Sequence, residues 1–328
     1  MKIGTIGTGS IVDLFIRSCQ RVANVDCKFV YSRSLSKAED FAKSHDIDYF
    51  TDSLETLLTS SEIDTVYVAS PNSLHYSHAM NALKHGKHVI LEKPTVATVE
   101  EYNKLIHVAK SNNVYIVEAI VNTHCATMKF LQNSLTLLGN IKCITANFSQ
   151  YSSKYDKYRK HEITNVFDLN MEGGALVDIG IYNLYICVHL FGTPNSYKYY
   201  PNVGFNGVDT SGVLVLKYPS FVATLLGAKD CYGPSYFTIQ GEDGTILIDE
   251  GSAGVCHHAS LMKKEKIADE FRQDDCHMMY EISDFETAFR KRDEKSIENW
   301  NNETLKVLDI LEKSRVDAGI IFNHNHDS

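Results

Sequence analysis

No C-x-x-C pair occurs among the eight cysteines of this 328-residue chain. Two Cys/His groups, Cys256-His257-His258 and Cys276-His277, carry suitable ligand atoms, but their spacing fits no zinc pattern. We therefore predict no metal site and expect reduced thiols that are mostly buried.

Long apolar runs are also missing. No run reaches the roughly 18 residues that a membrane-spanning helix needs. The N-terminus, MKIGTIGTGS, has no apolar signal core and no small-residue cleavage site, which favours a cytoplasmic protein. A basic surplus is absent too, because the net charge is −9, and this argues against a general nucleic-acid-binding protein.

The chain contains no repeats and no low-complexity linker. Strand-like and helix-like segments alternate through roughly the first 120 residues, which is typical of a parallel sheet with helices on both faces. Later β-rich runs, such as Ile141–Tyr151 and Phe221–Ala228, indicate a mostly antiparallel sheet, and two helical patterns follow it. We predict a doubly wound α/β domain over residues 1–120 and an α+β domain with a large open sheet over residues 121–328.

A glycine turn, Gly7-Thr8-Gly9, separates the first predicted strand from the first predicted helix. Such a turn lets the backbone approach a pyrophosphate, which lies against the free N–H groups of the helix N-terminus. The third position of the G-x-G-x-x-G/A fingerprint holds Val12 instead of a small residue, and the alternative is an ordinary tight turn. We predict a dinucleotide-binding Rossmann domain whose phosphate contacts come from Gly7, Thr8, Gly9, Ser10 and Ile11.

The tip of the second strand bears on which dinucleotide is bound. An acidic residue there would accept hydrogen bonds from the ribose 2′-OH of NAD, but this chain has Ser32-Arg33-Ser34. A guanidinium can pair with the 2′-phosphate of NADP. We predict NADP, with NAD possible if Arg33 stacks on adenine; the alternative is a solvated loop arginine.

The apolar strand Val89–Leu91 ends in Glu92-Lys93, and Ser70-Pro71-Asn72 ends its neighbour. Ligands of open α/β sheets bind outside the carboxyl ends of the strands. The pair is therefore expected beside the nicotinamide half of the cofactor, where an ammonium can stabilise charge on a substrate oxygen. The alternative is a structural ion pair that caps the strand.

A second group of functional side chains is predicted in GGALVDIGIYNLY. Asp178 and Tyr182 are four residues apart and share one face if the segment is helical. A carboxylate and a phenol on one face form a plausible pair for proton transfer. The alternative is that Tyr182 packs in the core and Asp178 caps a helix.

The segments GTIGTGSIV, VASPNSLHYSHAMNALKHGKHVILEKP and GGALVDIGIYNL resemble the glucose–fructose oxidoreductase / inositol dehydrogenase / MocA (Gfo/Idh/MocA) family. The resemblance spans nearly the whole chain. A tyrosine at position 182 makes the motif similar to that of the dihydrodiol dehydrogenase branch. It implies that the open sheet of the second domain forms a homodimer or higher homo-oligomer. It also implies a catalytic Lys93, with a cis peptide before Pro94.

Further site residues follow from their position at this edge of the sheet and, for Asn72, His75, Lys93 and Glu118, from the same resemblance. The residues expected to line the cofactor are Ser70, Pro71, Asn72, His75, Glu92, Lys93 and Glu118. The stretch after Glu118 lacks the aromatic–arginine pattern of many members, so Asn122 and His124 are expected to shape the substrate pocket. For His124 the alternative is a hydrogen-bonded core or linker histidine.

Together these features predict an NADP(H)-dependent oxidoreductase that acts on a sugar, a polyol or a related cyclic alcohol. Lys93 would polarise the substrate oxygen, Tyr182 would exchange the proton, and Asp178 would orient the pair or bind a second hydroxyl. One alternative is a trans-dihydrodiol or dicarbonyl oxidoreductase. Another is a non-catalytic nicotinamide-dependent sensor, against which the intact set of Lys93, Asp178 and Tyr182 argues.

Overall fold

The computed structural model describes residues 1–250, 256–264, 266–273 and 278–323. Cys276 and His277, singled out in the sequence, lie outside the described residues. The chain forms two compact units. The first comprises Met1–Ile120 and Met278–Leu305, and the second comprises Val121–His277 and Lys306–Ser328.

The first unit is built on a six-stranded sheet in which every neighbouring pair is parallel. Its strands are β1 (Lys2–Ile6), β2 (Asp26–Tyr31), β3 (Tyr49–Thr51), β4 (Thr65–Val68), β5 (His88–Glu92) and β6 (Ile116–Ala119). The order β3-β2-β1-β4-β5-β6 is that of the Rossmann fold, with a crevice at the carboxyl ends of β1 and β4. The predicted doubly wound parallel sheet is confirmed.

Five helices connect these strands: α1 (Ser10–Cys19), α2 (Leu35–Ser44), α3 (Leu54–Thr59), α4 (His75–Lys84) and α5 (Val99–Ser111). Helix α1 buries an apolar face on the sheet, where the Phe15 ring stacks on Tyr67 with 3.7 Å between centroids. Helix α5 begins with a capping box, in which Thr98 Oγ1 accepts the Glu101 N–H at 3.2 Å.

The second unit contains an eight-stranded sheet. Its strands are β7 (Ile141–Ser149), β8 (Ser196–Val203), β9 (Asp209–Lys217), β10 (Val222–Ala228), β11 (Tyr236–Gly241), β12 (Thr245–Glu250), β13 (His258–Lys263) and β14 (Lys266–Arg272). The order is β14-β13-β12-β11-β7-β10-β9-β8. All described pairs are antiparallel except β7 with β10, so the carboxyl ends of these two strands meet at one edge. The predicted mostly antiparallel sheet is confirmed.

Four helices belong to this part of the chain: α6 (Val121–His124), α7 (Ala126–Leu135), α8 (Tyr155–Tyr158) and α9 (Ile181–Phe191). A single π-helical turn, Leu176–Gly180, leads into α9. The stretch Leu169–Phe191 is long and apolar enough to cross a membrane, but 67% of its most apolar window is buried inside the protein. We therefore describe it as a core helix.

Helices α10 (Met278–Lys291) and α11 (Glu294–Asp317) end the chain. Helix α10 packs against α1, and its Phe289 ring stacks on His88 at 4.9 Å, which explains why Met278–Leu305 clusters with the first unit. Trp300 of α11 lies edge-on against Phe285 of α10, with 5.6 Å between centroids. The sequence analysis assigned residues 121–328 to one domain. In the structure, Met278–Leu305 groups with the first unit instead.

Candidate active site

The turn after β1 has the geometry of a phosphate cradle. Gly7 has a φ of +125°, and a Cβ added there would lie 2.7 Å from the Ala69 carbonyl oxygen, so a larger residue cannot replace it without strain. A Cβ added at Gly9 would meet nothing within 4 Å, and no side chain caps the N-terminus of α1. The open space and the uncapped N–H groups fit a dinucleotide pyrophosphate.

Val12, the departure from the glycine fingerprint, is fully buried on the underside of this turn. Its Cγ2 would lie 3.5 Å from a Cβ built on Gly7. This is an ordinary van der Waals distance, so the valine fits beside the turn without crowding it. The remaining predicted contacts, Thr8, Ser10 and Ile11, lie at the start of α1, half-buried or exposed.

The tip of β2 places Arg33 in solvent between two serines. Ser32 N–H donates to the Thr51 carbonyl at 3.2 Å, and Ser34 N–H donates to Ser32 Oγ at 3.4 Å. The backbone of this tip is therefore held in place while the guanidinium faces outward. The position suits recognition of a phosphate on the adenosine ribose.

His78 of α4 joins this region, and sequence reasoning missed it. Its Nδ1 lies 2.9 Å from Ser70 Oγ at the end of β4. Burial, and then the charges of His75 and Arg33, lower the pKa of His78 to about 4. His78 is therefore neutral at physiological pH. His78 is three residues from His75, so both rings lie on one face of a helix. This spacing is the sequence signal that could have identified His78.

His75 connects the two loops that were predicted to line the cofactor. Its ring nitrogens lie 2.9 Å from the Pro94 carbonyl oxygen and 2.8 Å from the Ser70 carbonyl oxygen. Burial lowers the pKa of His75, an effect that the two carbonyls oppose. The ring is almost fully buried, so the structure presents His75 as a clamp between β4 and the turn after β5. Pro71 and Asn72 follow Ser70 at the same edge, both half-buried.

Glu92 and Lys93 sit at the carboxyl end of β5, and their side chains differ in environment. Glu92 is buried: its Oε1 accepts the Tyr67 hydroxyl at 2.5 Å and its Oε2 accepts the Lys93 N–H at 3.1 Å. Lys93 is half-buried, and the Lys93–Pro94 peptide bond is cis, as the resemblance implied. Glu92 thus fixes the backbone from which the lysine side chain projects.

Glu118 lies next to the last residue of β6, one strand away, and is also buried. A third carboxyl group, Glu281 of α10, is fully buried in the same unit, and neither of its oxygens has a hydrogen-bond partner in the described part of the chain. Burial raises the pKa of Glu281 well above its usual range, and the charges of Glu92, Asp284 and Glu118 add to this. Sequence reasoning missed this residue because nothing in its helical pattern marks one Glu as buried.

In the second unit, Asp178 lies in the π-helical turn before α9 and pairs with Lys229, which directly follows β10. Their side chains are 28% and 10% exposed. Lys229 was missed, although Lys229-Asp230 ends an apolar strand in the same way as Glu92-Lys93. The pair gives this edge of the sheet a partly desolvated carboxylate with a fixed position.

The double glycine before Asp178 allows the turn to form. A Cβ at Gly173 would lie 2.5 Å from the Asn165 carbonyl oxygen, and one at Gly174, whose φ is +140°, would overlap Asp209 Oδ1. Asp209 Oδ2 accepts the Leu176 N–H and the Tyr199 hydroxyl, both at 2.7 Å. A buried carboxylate that the sequence did not indicate therefore anchors the start of the π-helical turn.

Tyr182 lies one turn beyond Asp178, half-buried, with its ring 5.6 Å from Phe148. Its carbonyl oxygen accepts Asn122 Nδ2 at 2.8 Å. Asn122 is 0% exposed, which favours a role in positioning α9 over direct substrate contact. His124 is half-buried at the end of α6.

The Cys/His groups of the sequence form no cluster in the described part of the chain, where no three His, Cys, Asp or Glu side chains converge as metal ligands. His258 instead contacts two carboxylates, Asp249 Oδ1 at 2.7 Å and Glu270 Oε2 at 3.4 Å. Cys256 is buried beside Cys125.

Comparison with known proteins gives matches along almost the entire chain. Residues 1–119 match the model of the oxidoreductase family with an NAD-binding Rossmann fold, and residues 137–321 match its C-terminal alpha/beta domain. Scyllo-inositol 2-dehydrogenase (NADP(+)) IolU of Bacillus subtilis is 33% identical over 334 residues, 98% of each chain.

More distant matches agree in fold. Trans-1,2-dihydrobenzene-1,2-diol dehydrogenase of Xenopus tropicalis is 27% identical over 254 residues, 75% of this chain and 74% of that protein. The 3-ketoreductase KijD10 of Actinomadura kijaniata, solved with NADP and TDP-benzene, superposes with a TM-score of 0.83 at 19% identity, covering 96% of this chain and 97% of that one.

Proposed function

Because the chain belongs to the Gfo/Idh/MocA oxidoreductase family, it is an NAD(P)-dependent oxidoreductase acting on CH–OH groups, and we propose that its substrate is a sugar, a polyol or a related cyclic alcohol. The reverse reaction would reduce the corresponding carbonyl compound. The observation that carries the proposal is the cradle at Gly7–Gly9, combined with a lysine at the carboxyl end of β5.

The cofactor assignment is NADP(H). Arg33 is exposed at the tip of β2, where NAD-binding domains usually place a carboxylate. Ser32 and Ser34 flank Arg33 in the chain and place two hydroxyls next to the guanidinium. The Bacillus subtilis relative is named for NADP(+), and KijD10 was solved with NADP, in agreement with this assignment.

In the first unit, the proposed catalytic group is Lys93. When bound, the nicotinamide ring accepts or supplies a hydride at C4. The Lys93 ammonium donates a hydrogen bond to the substrate oxygen and stabilises negative charge that develops on it. Glu92 holds the Lys93 backbone, and Tyr67 in turn holds Glu92, so the lysine projects from a fixed turn. Asn72, His75 and Glu118 retain the proposed role of shaping the cofactor edge.

In the second unit, the proposed catalytic groups are Asp178 and Tyr182. As the phenolate, Tyr182 takes the proton from the alcohol during oxidation, and as the phenol it returns that proton to the alkoxide during reduction, so that it acts as a general base and acid. Asp178 accepts a hydrogen bond from a second substrate hydroxyl. Lys229 offsets the cost of desolvating Asp178 and fixes its direction. We place Asn122 behind Tyr182 as a positioning residue and His124 at the edge of the substrate pocket.

The proposal is tested with the purified protein and a panel of inositols, hexoses and hexitols, with NAD and NADP in parallel, by the absorbance of the reduced nicotinamide. We expect turnover of at least one cyclic polyol with NADP. Lys93→Met should leave NADP affinity nearly unchanged and lower kcat by about 10²–10⁴-fold. Tight NADP binding without turnover anywhere in the panel would instead identify a sensor, and unchanged turnover in Lys93→Met would remove the lysine from the mechanism.

A second candidate is the oxidation of trans-dihydrodiols or the reduction of dicarbonyl compounds. The similarity to the Xenopus tropicalis dihydrodiol dehydrogenase over three quarters of the chain favours including it. Adding trans-1,2-dihydrobenzene-1,2-diol and a dicarbonyl compound to the panel separates the candidates by kcat/KM.

We also propose a cytoplasmic homodimer or higher homo-oligomer formed through the open face of the second unit's sheet. This face carries Val222, Thr224 and Gln240, which are exposed in the single chain. Light scattering on the purified protein gives the oligomeric state directly, and a monomer would contradict the proposal.

A further inference from the structure

Three tyrosines form a shelf beside the Asp178–Lys229 pair, and the functional proposal above does not use them. Tyr232 stacks on Tyr151 with 4.8 Å between ring centroids and 8° between planes. Tyr155 contacts Tyr151 edge-on at 5.5 Å. We name these three residues the tyrosine shelf.

The shelf is rigid at its inner end. Tyr155 packs on the buried cluster of Tyr158, Phe167 and Val208. The Tyr151 hydroxyl donates to Asp156 Oδ1 at 2.7 Å, which fixes the orientation of its ring. A continuous set of ring contacts therefore runs from the core to the surface, where Tyr232 is 83% exposed.

The outer face of Tyr232 is open to a ligand. The ring needs little ordering on binding, because it already stacks on Tyr151. Preorganised aromatic faces bind flat, C–H-rich or aromatic rings.

The shelf adjoins the proposed catalytic residues of the second unit. The Ser152 N–H donates to the Lys229 carbonyl oxygen at 2.9 Å, so the Tyr151 backbone runs alongside Lys229. Tyr232 follows Lys229 by three residues, which limits the separation of their Cα atoms to about 11 Å. A two-ring ligand bound at Asp178 can therefore extend toward the shelf.

The contact surface of the shelf is itself uncharged, because it consists of three phenol rings. Asp156 lies 4.0 Å from Arg159, so these two charges offset each other. Asp230 accepts the Thr210 and Ser211 hydroxyls at 2.7 and 2.9 Å, so its carboxylate is engaged within the protein.

We propose that the tyrosine shelf binds a second, neutral sugar ring, so that the preferred substrate is a glycoside or short oligosaccharide instead of a free monosaccharide or inositol. The inference rests on the proposed function, since it assumes that the ring next to Asp178 is the reacting one. It names Tyr232 as the specificity-determining residue.

The test compares one-ring and two-ring substrates in matched pairs: glucose with cellobiose, glucose with maltose, and galactose with lactose. We expect kcat/KM to be about five- to tenfold higher for at least one two-ring partner, mainly through KM, which is the range that aromatic stacking supports. In Tyr232→Ala this ratio falls to about one. Tyr232→Phe keeps it, because the stacking face is retained.

Tyr200→Ala is the matched control, since Tyr200 is 61% exposed on β8 of the same unit and should not change the ratio. The inference is overturned if the wild-type protein prefers the one-ring partner in every pair. It is also overturned if Tyr232→Ala changes the oligomeric state, or if UDP-glucose is preferred and Tyr232→Ala removes that preference. Absence of turnover on all substrates, despite NADP binding, would contradict the proposed function itself.

Discussion

Lys229 and Asp178, 51 positions apart in the chain, form a largely buried ion pair at the end of strand β10. The pair depends on the parallel alignment of β10 with β7 and on the π-helical turn that carries Asp178. A carboxylate in this setting needs its cation, because removing one partner of a buried pair leaves an uncompensated charge.

Replacing Lys229 by Met should therefore impair both stability and activity. We expect a loss of about 1–3 kcal/mol in the free energy of unfolding, since the partial exposure of Asp178 reduces the full cost of an unpaired buried charge. The value of kcat/KM should fall at least tenfold with the best substrate. Urea denaturation followed by circular dichroism and steady-state kinetics give the two values.

Lys198→Met is the control for this variant, because Lys198 pairs with Asp317 on the surface, where both side chains are at least half exposed. It should change stability by less than about 1 kcal/mol. Equal effects of the two substitutions would show that burial of the Lys229 pair has no special consequence.

Arg33→Ala should reduce the preference for NADP over NAD. Loss of a charge-assisted pair with the 2′-phosphate is expected to lower kcat/KM for NADP by about tenfold or more and to leave the value for NAD nearly unchanged. Arg17→Ala is the control, since Arg17 pairs with Asp13 on the surface of α1 in the same unit. An unchanged NADP/NAD ratio in Arg33→Ala contradicts the cofactor assignment.

Glu281→Gln should stabilise the protein at neutral pH. The folded protein holds the Glu281 proton because burial raises the pKa, whereas the unfolded chain releases it near pH 4.5. The contribution of this group to stability is therefore complete below about pH 4.5 and is lost as the pH rises toward the folded-state pKa. Glutamine carries no such proton, so the variant should gain about 1 kcal/mol or more at pH 7.5 and little at pH 4.5.

Thermal unfolding of both proteins across this pH range, followed by circular dichroism, tests the prediction. Glu101→Gln is the matched control. Glu101 is also buried, but its Oε2 accepts the Ala97 and Thr98 N–H groups, both at 3.1 Å, so its replacement should not stabilise the protein. A wild-type protein at least as stable as Glu281→Gln at pH 7.5 would contradict a protonated Glu281.

Gly174→Ala should be among the most damaging conservative substitutions. The new Cβ would overlap Asp209, which anchors the π-helical turn, and the backbone has a positive φ. Gly86→Ala shares the positive φ, but its Cβ would meet nothing within 4 Å. We expect about 1 kcal/mol of destabilisation for Gly86→Ala and at least about 2 kcal/mol more for Gly174→Ala, measured by urea denaturation.

Sequence patterns predicted the elements of the first unit well where local signals are strong. Strand β1 and helix α1 lie on either side of the Gly7–Gly9 turn, as predicted. Strand β3 was missed because its three residues are mostly exposed and carry no alternation. The hairpin of β13 and β14 was also missed, since its outer strand is exposed along most of its length.

The site residues, too, were predicted only where a local sequence motif marks them. Lys93, Asp178 and Tyr182 were found because each belongs to a motif, and their catalytic roles stay predictions. Lys229 and Asp209 escaped notice because their partners are distant in sequence and depend on strand register. Glu281 was missed because its burial is a tertiary property that a helical pattern cannot specify.

The edge-on contact between Trp300 and Phe285 has a practical consequence for spectroscopy. Trp300 is the single tryptophan of the chain and belongs to the first unit, so indole fluorescence reports the surroundings of this one residue. Quenching or a shift of the Trp300 emission would therefore report a change in the packing of α10 and α11. A tryptophan introduced at position 232 would give the second unit an optical signal of its own.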